Sequence, residues 1–485
     1  MEPRYDVIVR NGTVIDGTGR PGFVGDVAIA GERLVAVGEL GPGAGARREF
    51  DASGLIVAPG FIDVHTHDDA MILSRPEMTP KLSQGVTTVI CGNCGVSGAP
   101  YSRPEGPLDL MHLIFKTAEL AAPTLAQFLA KVEAAGPAIN AAFLTGHTTL
   151  RMEVMGSDLQ RPATGAEIAA MRVLLEQCLQ EGSLGLSTGL FYMAARSAPT
   201  AEVIELAQPL KCHGGLYVTH MRDEGDHVLE SIRETMRIGR EVQAPVIVSH
   251  HKCLGSRNFG RSTQTLALFD EARRAQCLAF DVYPYTAAST VLNEEMVAIA
   301  SKTLVSWSDA YPEFGGQDLE EIVARWNCSR AVAIARLQPA GGTYFMMDET
   351  DVQRIMRHPA AMIGSDGLPD DKHPHPRLWG TFPRVLGRYV RERAVLGLEE
   401  AVHRMSGLSA REFGLRGRGE IAVDSFADLT VFDASTVLDT ATFEQPISAA
   451  AGIHHVFVNG QLAWSEGAAV ERHAGKVLRR SRVSQ

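Results

Sequence analysis

The feature that most constrains this chain is a series of short apolar runs, each ending in polar residues and each followed by helix-forming sequence. FIDVH (61–65), VTTVICG (86–92), AAFLTG (141–146), SLGLS (183–187), LYVTH (216–220), VIVSH (246–250), AFDVYP (279–284) and AMIGSD (361–366) make eight such runs. Near-continuous apolarity marks strands buried on both faces, as in a parallel sheet covered by helices. Eight of them predict an α/β fold, a closed TIM-like (β/α)8 barrel, with a doubly wound open sheet as the alternative. In a barrel the chemistry sits at the strands' C-terminal ends. Thr124 with Gln127 and Thr164 with Glu167 have capping-box spacing. DHVLESIRETMRIGREV (226–242) repeats its apolar residues at mostly helical intervals.

The two ends of the chain read differently. DVIVRNGTVIDG and VGDVAIAGERLVAVGEL alternate about Asn-Gly and Gly turns, and ADLTVFDAS (427–435) and HHVFVNGQLAWSEG (454–467) repeat the style. Neither piece closes a core alone, so residues 1–58 and 416–485 are expected to meet as one small β-sandwich or barrel domain. Residues 59–415 then form the main barrel. The stretch from about 286 to 347 is too long for a single crossover, and is expected to be an insertion near the barrel mouth.

Composition narrows the class of function. Lys and Arg number 46 against 57 Asp and Glu, a formal charge of −11. That balance argues against nucleic acid as a partner, because polyanion binding needs clustered cations. No apolar run approaches the roughly 18–20 residues that span a bilayer, so no membrane association is expected. The opening MEPRYDVIVRNG lacks a basic-then-apolar signal pattern. Seven scattered cysteines make no disulfide framework and favour a reducing, cytoplasmic setting.

Five strand ends carry metal-ligand types: His65-Thr66-His67, Cys94, His220, His250 and Asp366. A barrel would bring them to one point across about 300 residues of sequence. Imidazole, thiolate and carboxylate together suit Zn²⁺. Taken alone, Cys91-Gly-Asn-Cys94 could also be half a zinc ribbon or a redox pair, although no second CxxC completes a ribbon.

FIDVHTHDD after a β-rich start resembles the amidohydrolase superfamily. GNCG, THMRDEG, SHHKCLG, DVYPYTAAST and GSDG narrow the resemblance, over nearly the whole chain, to the N-acyl-D-amino-acid deacylase (D-aminoacylase) family. Many superfamily members bridge two metals with a carboxylated Lys on the fourth strand; SLGLSTG has none, and Cys94 would take that role. The resemblance implies Cys94, His220 and His250 as ligands of a tight Zn²⁺, with His65 and His67 bordering or completing a weaker second site. Asp366 would lie near the metal and serve as general base, then general acid. His250 rather than His251 would face the mouth, because neighbouring strand residues point to opposite faces. Arg222 and Glu224 would orient ligands, and His147 is either structural or a ligand-orienting group.

The family reading makes the substrate a small N-acyl-D-amino acid. Arg377 would fork onto its carboxylate, with Tyr192, Lys252, Tyr283 and Ser289 as further contacts. The resemblance alone supplies the D configuration. Lys252, Arg257, Arg261 and Arg377 exceed the charge that one carboxylate needs, which favours an acidic side chain; the whole is most similar to N-acyl-D-glutamate deacylases. Neutral and D-aspartyl substrates are the alternatives. A hydantoinase-like cyclic-amide hydrolase or an inactive scaffold are more distant ones.

Overall fold

The computed structural model describes residues 5–41, 43–103, 111–115, 121–470 and 473–480. Its centre is a parallel barrel of β1 (Phe61–Asp63), β2 (Val86–Cys91), β3 (Asn140–Phe143), β4 (Gly185–Gly189), β5 (Leu216–His220), β6 (Val246–Val248), β7 (Leu278–Val282) and β8 (Ala361–Ile363). Every residue of these strands is buried, which is why their sequences run apolar without alternation. Registers such as Asp63 with Val89, Gly189 with His220 and Val282 with Ile363 are all parallel. The ring closes where Thr66 bridges Gly367 and Asp366 N donates to His65 O at 2.8 Å.

Helices lie between successive strands. Thr164 and Glu167 form the reciprocal capping box of helix Gly165–Glu181, and Thr124 Oγ1 accepts from Gln127 N to start Leu125–Ala135. Helix Val228–Val242 buries Val228, Ile232, Met236 and Val242. Such side chains contribute roughly 1.5–3 kcal/mol each when fully buried. Gly239 lets this helix lie on β6: a Cβ there would sit 2.2 Å from Val246 Cγ2.

The chain ends share a nine-stranded sheet in which Ile56–Pro59 pairs antiparallel with Leu429–Phe432. The last stretch departs from the expected terminal unit. Val477 and Leu478 pair in parallel with Ala141 and Ala142 of β3, and Arg480 N donates to Gly182 O at 3.1 Å. Thr145–Gly146, just past β3, makes the contact with β4, so the tail occupies the lower half of the β3–β4 seam.

Between β7 and β8, Ala287–Val291, Lys302–Ser308 and Ala340–Phe345 form an antiparallel sheet of their own. Its core of Met296, Val305, Leu319, Ile322 and Tyr344 is continuous with Leu254 and Tyr283 from the barrel loops, which seats this segment over the mouth. Among the described residues, no helix is long and apolar enough to cross a membrane.

Candidate metal centre and substrate pocket

Cys94 is the hub of the mouth. Its Sγ lies 3.4 Å from His65 Nε2, 3.4 Å from His250 Nε2 and 3.7 Å from His220 Nδ1. One donor atom each from His65, Cys94, His250 and Asp366 falls within 4.8 Å of the others; His220, Glu224 and His250 form a second such group. Asp366 Oδ1 stands 3.2 Å from His67 Nε2 and 3.5 Å from His65 Nε2. All six of these strand-end residues are buried.

Local backbone explains how strands that end here turn their side chains inward. Cys94, His250 and Asp366 have φ of +53°, +35° and +52°. Such left-handed backbone is uncommon outside glycine and clusters at functional sites. His251, one step along, faces the other way: its Nε2 lies 2.8 Å from Thr265 Oγ1, with Phe269 against its ring.

The imidazoles are oriented from behind by carboxylates. His65 Nδ1 is 3.4 Å from Asp281 Oδ2, and His250 Nδ1 is 3.1 Å from Glu224 Oε1. His220 Nε2 is 3.6 Å from Glu224 Oε2. At His65 and His220 a proton held on the carboxylate side leaves the opposite nitrogen's lone pair aimed at Cys94, the arrangement by which a carboxylate orients a metal-ligating histidine; His250 Nδ1 also faces Lys252 Nζ at 2.6 Å. Asp281, whose other oxygen accepts from His250 N at 2.9 Å, was not singled out in the sequence. Its one signal there is an acid inside an otherwise apolar, buried strand.

The charges fit a divalent cation. Among the described residues, the permanently charged cations in contact with Cys94, Glu224, Asp281 and Asp366 are Lys252 on Glu224 and Arg377 on Asp366. Burial opposes ionisation of Cys94, yet His65 and His250 hold its thiol well below the usual range. Burial likewise opposes Asp366, but Arg377 and His250 hold its carboxyl well below the ordinary value. Burial would lower His67, but Asp366 and Cys94 push it up to about 9. The cluster thus draws positive charge onto His65, His67 and His250, while burial keeps His220 toward its neutral form; a soft-to-borderline dication with mixed N, S and O donors meets the same need.

A pocket beside these donors is lined by Tyr192, Lys252, Tyr283, Ser289 and Asp366 together with Phe191, Leu254, Ala288 and Met296. Arg377 lies just behind: Nη1 is 2.8 Å from Asp366 Oδ2, Nη2 donates to Ser289 O at 3.2 Å, and the guanidinium stands over the Tyr283 ring at 4.7 Å. Arg377 Nε and Ser289 Oγ are buried without hydrogen-bond partners among the described residues. The pocket shares Phe191, Glu224, Leu254 and Met296 with a wider outer cleft of about 670 Å³.

Three charge expectations change in the structure. Lys252 Nζ donates to both Glu224 oxygens at 2.9 Å, so its charge is spent on the ligand-orienting carboxylate. Arg261 donates to Asp226 O and Asn258 Oδ1, and exposed Arg257 lines the outer cleft beside Asp223 and Asp226. The positive excess inferred for the mouth is therefore paired or displaced outward, and Phe191, Leu254 and Met296 give an apolar stretch where the pocket meets the outer cleft. Arg222 does not orient ligands: it grips Glu234 at 2.8 and 2.9 Å and the carbonyls of Arg196 and Ala198. The planar carboxylate on the neighbouring helix matches its fork better than an imidazole does. His147 opens helix His147–Met155 and faces Glu202, away from the donor cluster.

A model of the amidohydrolase family matches residues 48–463. The D-aminoacylase of Alcaligenes xylosoxydans xylosoxydans is 51% identical over 98% of both chains. From the same organism, N-acyl-D-aspartate deacylase is 48% identical over 98% of this chain and 95% of its own. N-acyl-D-glutamate deacylase is 45% identical over 99% of this chain and 98% of its own. Two crystal structures superpose with TM-scores of 0.95, each covering 98% of this chain and 100% of its own. One is a D-aminoacylase, 50% identical. The other, 44% identical, is N-acyl-D-glutamate deacylase from Bordetella bronchiseptica complexed with zinc and a phosphonate mimic of the tetrahedral intermediate.

Proposed function

Because the chain belongs to the amidohydrolase family, we propose that it hydrolyses the amide bond of N-acyl-D-amino acids with zinc, releasing a carboxylate and the free D-amino acid. The observation that carries this reading is the buried convergence of Cys94 on three imidazoles, with the Asp366 carboxylate within reach of two of the site's histidines. Cys94, His220 and His250 would hold the tighter ion, and His65, His67 and Asp366 would border a second position, with Asp366 Oδ1 3.5 Å from His65 Nε2 and 3.2 Å from His67 Nε2. Zinc bound there supplies a Lewis acid that polarises the scissile carbonyl and makes water acidic enough to attack near neutral pH.

The chain's own groups do the rest. Asp366, kept ionised by Arg377, accepts the proton of the attacking water on its carboxylate. It then returns that proton to the departing nitrogen, without which an amine leaves poorly. Glu224 and Asp281 hold His250 and His65 in orientation. The buried, unpartnered Arg377 Nε and Ser289 Oγ suit the substrate's own carboxylate, as does the Tyr283 hydroxyl, whose one described contact is Met347 Sδ at 4.0 Å. Tyr192 packs its ring on His220, 4.9 Å between centroids, and walls the pocket. The segment over the mouth, packed against Leu254 and Tyr283, would shield the reacting centre from water.

The apolar stretch of Phe191, Leu254 and Met296 favours a neutral, apolar D-side chain over D-glutamate. The β unit built from both ends would frame the barrel, with about 286–347 as its cover, while Val477–Leu478 joins the barrel itself. The seven cysteines are unpaired, which suits a reducing cytoplasm. Release of D-leucine from N-acetyl-D-leucine, with hydantoins left intact, is the outcome expected of purified zinc-loaded protein. Ring opening of hydantoins without deacylation would replace the assignment with a cyclic-amide hydrolase.

A further inference from the structure

At the seam where β1 and β8 close the barrel lies a buried ammonium group that neither the metal donors nor the substrate pocket uses. Lys81, on the short helix Thr79–Leu82, has no exposed surface. Its Nζ donates to Asp63 Oδ2 at 2.8 Å and to Ser365 Oγ at 2.9 Å, and Asp68 Oδ2 lies 3.3 Å away. A wholly buried cation is tolerated only when paired and hydrogen-bonded. The partners of this one bracket Asp366. Ser365 N donates to Asp63 Oδ1 at 2.8 Å, and Gly367 N donates to Ser365 Oγ at 3.2 Å. Between them Asp366 sits at φ +52° and donates its own N–H to His65 O. A non-glycine residue keeps such backbone only where its surroundings over-determine it, and here Lys81 ties those surroundings together.

We infer that Lys81 is a positioning residue for Asp366: acting through Ser365 and Asp63, it holds the carboxylate at its working distance from His67 and Arg377. This rests on the proton-transfer role proposed for Asp366. The group sets the rate of the chemical step, and substrate affinity is left to the pocket. A mere staple of the barrel seam would instead change stability alone.

The test uses zinc-loaded, full-length Lys81→Met, Ser365→Ala and the double variant, assayed on N-acetyl-D-leucine alongside zinc content and thermal melting. Misplacement of a catalytic group by an ångström costs on the order of 100-fold, so Lys81→Met is expected to lose about 10- to 100-fold in kcat. Ser365→Ala is expected to lose less, with KM and zinc content near wild type in both. The double variant should be no worse than Lys81→Met, because both changes act along one path. Wild-type kcat in folded Lys81→Met and Ser365→Ala, or strictly additive losses, overturns the inference. Should Lys81→Met fail to fold, Ser365→Ala decides: a lower kcat supports the role and an unchanged one overturns it. A wild-type protein inactive on every N-acyl-D-amino acid contradicts the proposed function instead. In that case the visible bands of the cobalt-substituted protein, which report donor geometry without turnover, decide the positioning role. A shift in Ser365→Ala supports it and identical bands overturn it.

Discussion

Asp366 Oδ2 lies 2.8 Å from Nη1 of the fully buried Arg377, so the group proposed to move the proton and the group proposed to hold the substrate carboxylate form one ion pair. Asp366→Asn should keep its tight zinc and lose roughly 10²–10⁴-fold in kcat, the usual contribution of a general acid–base group. Arg377→Lys should lower kcat/KM about 10- to 100-fold for every N-acyl-D-amino acid alike, since a charge-assisted hydrogen bond is worth about 1.5–3 kcal/mol and about 1.4 kcal/mol is tenfold in rate. Steady-state kinetics on a panel of substrates with zinc analysis checks both. A fully active Asp366→Asn would assign the proton to another group.

Cys94 Sγ lies within 3.7 Å of nitrogens of His65, His220 and His250, whereas His67 Nε2 lies 3.2 Å from Asp366 Oδ1. Cys94→Ala should therefore strip the tight zinc and abolish turnover, whereas His67→Ala should retain most of the metal. Dialysis against graded chelator followed by elemental analysis reads the difference. Equal losses would mean one tightly coupled two-metal centre.

Acid stability should depend on a carboxylate far from the metal. Buried Glu202 accepts hydrogen bonds from Arg151, from Ala163 N at 2.8 Å and from His147 at 3.4 Å. Burial pushes its pKa up, but His147 and Arg151 override this and hold it at about 2, against an ordinary 4.5. The unfolded chain then binds the extra proton between these values, so stability is present above about pH 4.5 and is lost as pH falls toward 2. The full effect is on the order of 3 kcal/mol. Glu202→Gln should be less stable at pH 7 and lose less on acidification; denaturant melts at stepped pH give the slope. An acid limb as steep as wild type would show that other groups dominate it.

Side-chain selectivity follows from which charges are already paired. With Lys252 held by Glu224 and the wall made by Phe191, Leu254 and Met296, N-acetyl-D-leucine should exceed N-acetyl-D-glutamate by about tenfold or more in kcat/KM, the scale of one unmatched buried polar group. A preference for the glutamate derivative would mean that Lys252 or Arg257 turns to the substrate.

Residue type and periodicity made the barrel legible. All eight strands announce themselves because parallel strands buried on both faces need apolar side chains throughout, and the polar residues that stop them lie at the mouth. His250 and His251 also part as expected, but past the end of strand Val246–Val248, where the left-handed backbone of His250 turns it inward while His251 packs on Phe269. Pairing was not legible. Arg377 and Lys252 read as free cations, since nothing in a sequence says that Asp366 and Glu224 neutralise them. Arg222 went astray for the same reason, its partner Glu234 being a turn of helix and a loop away. Lys81, Asp281 and the tail strand Val477–Leu478 depend on contacts between segments far apart in the chain, which local pattern does not encode.

The most direct measurement is kcat/KM for N-acetyl-D-leucine and its L-enantiomer, taken with zinc bound, after chelation, and after zinc is restored. Inverting the centre carries the substrate carboxylate away from Arg377 and Ser289 when the amide stays at the metal donors. The account predicts hydrolysis of the D-form, near-inert L-form, loss of activity on chelation and recovery with zinc. Comparable turnover of the L-form, or undiminished turnover in zinc-free protein, would contradict it.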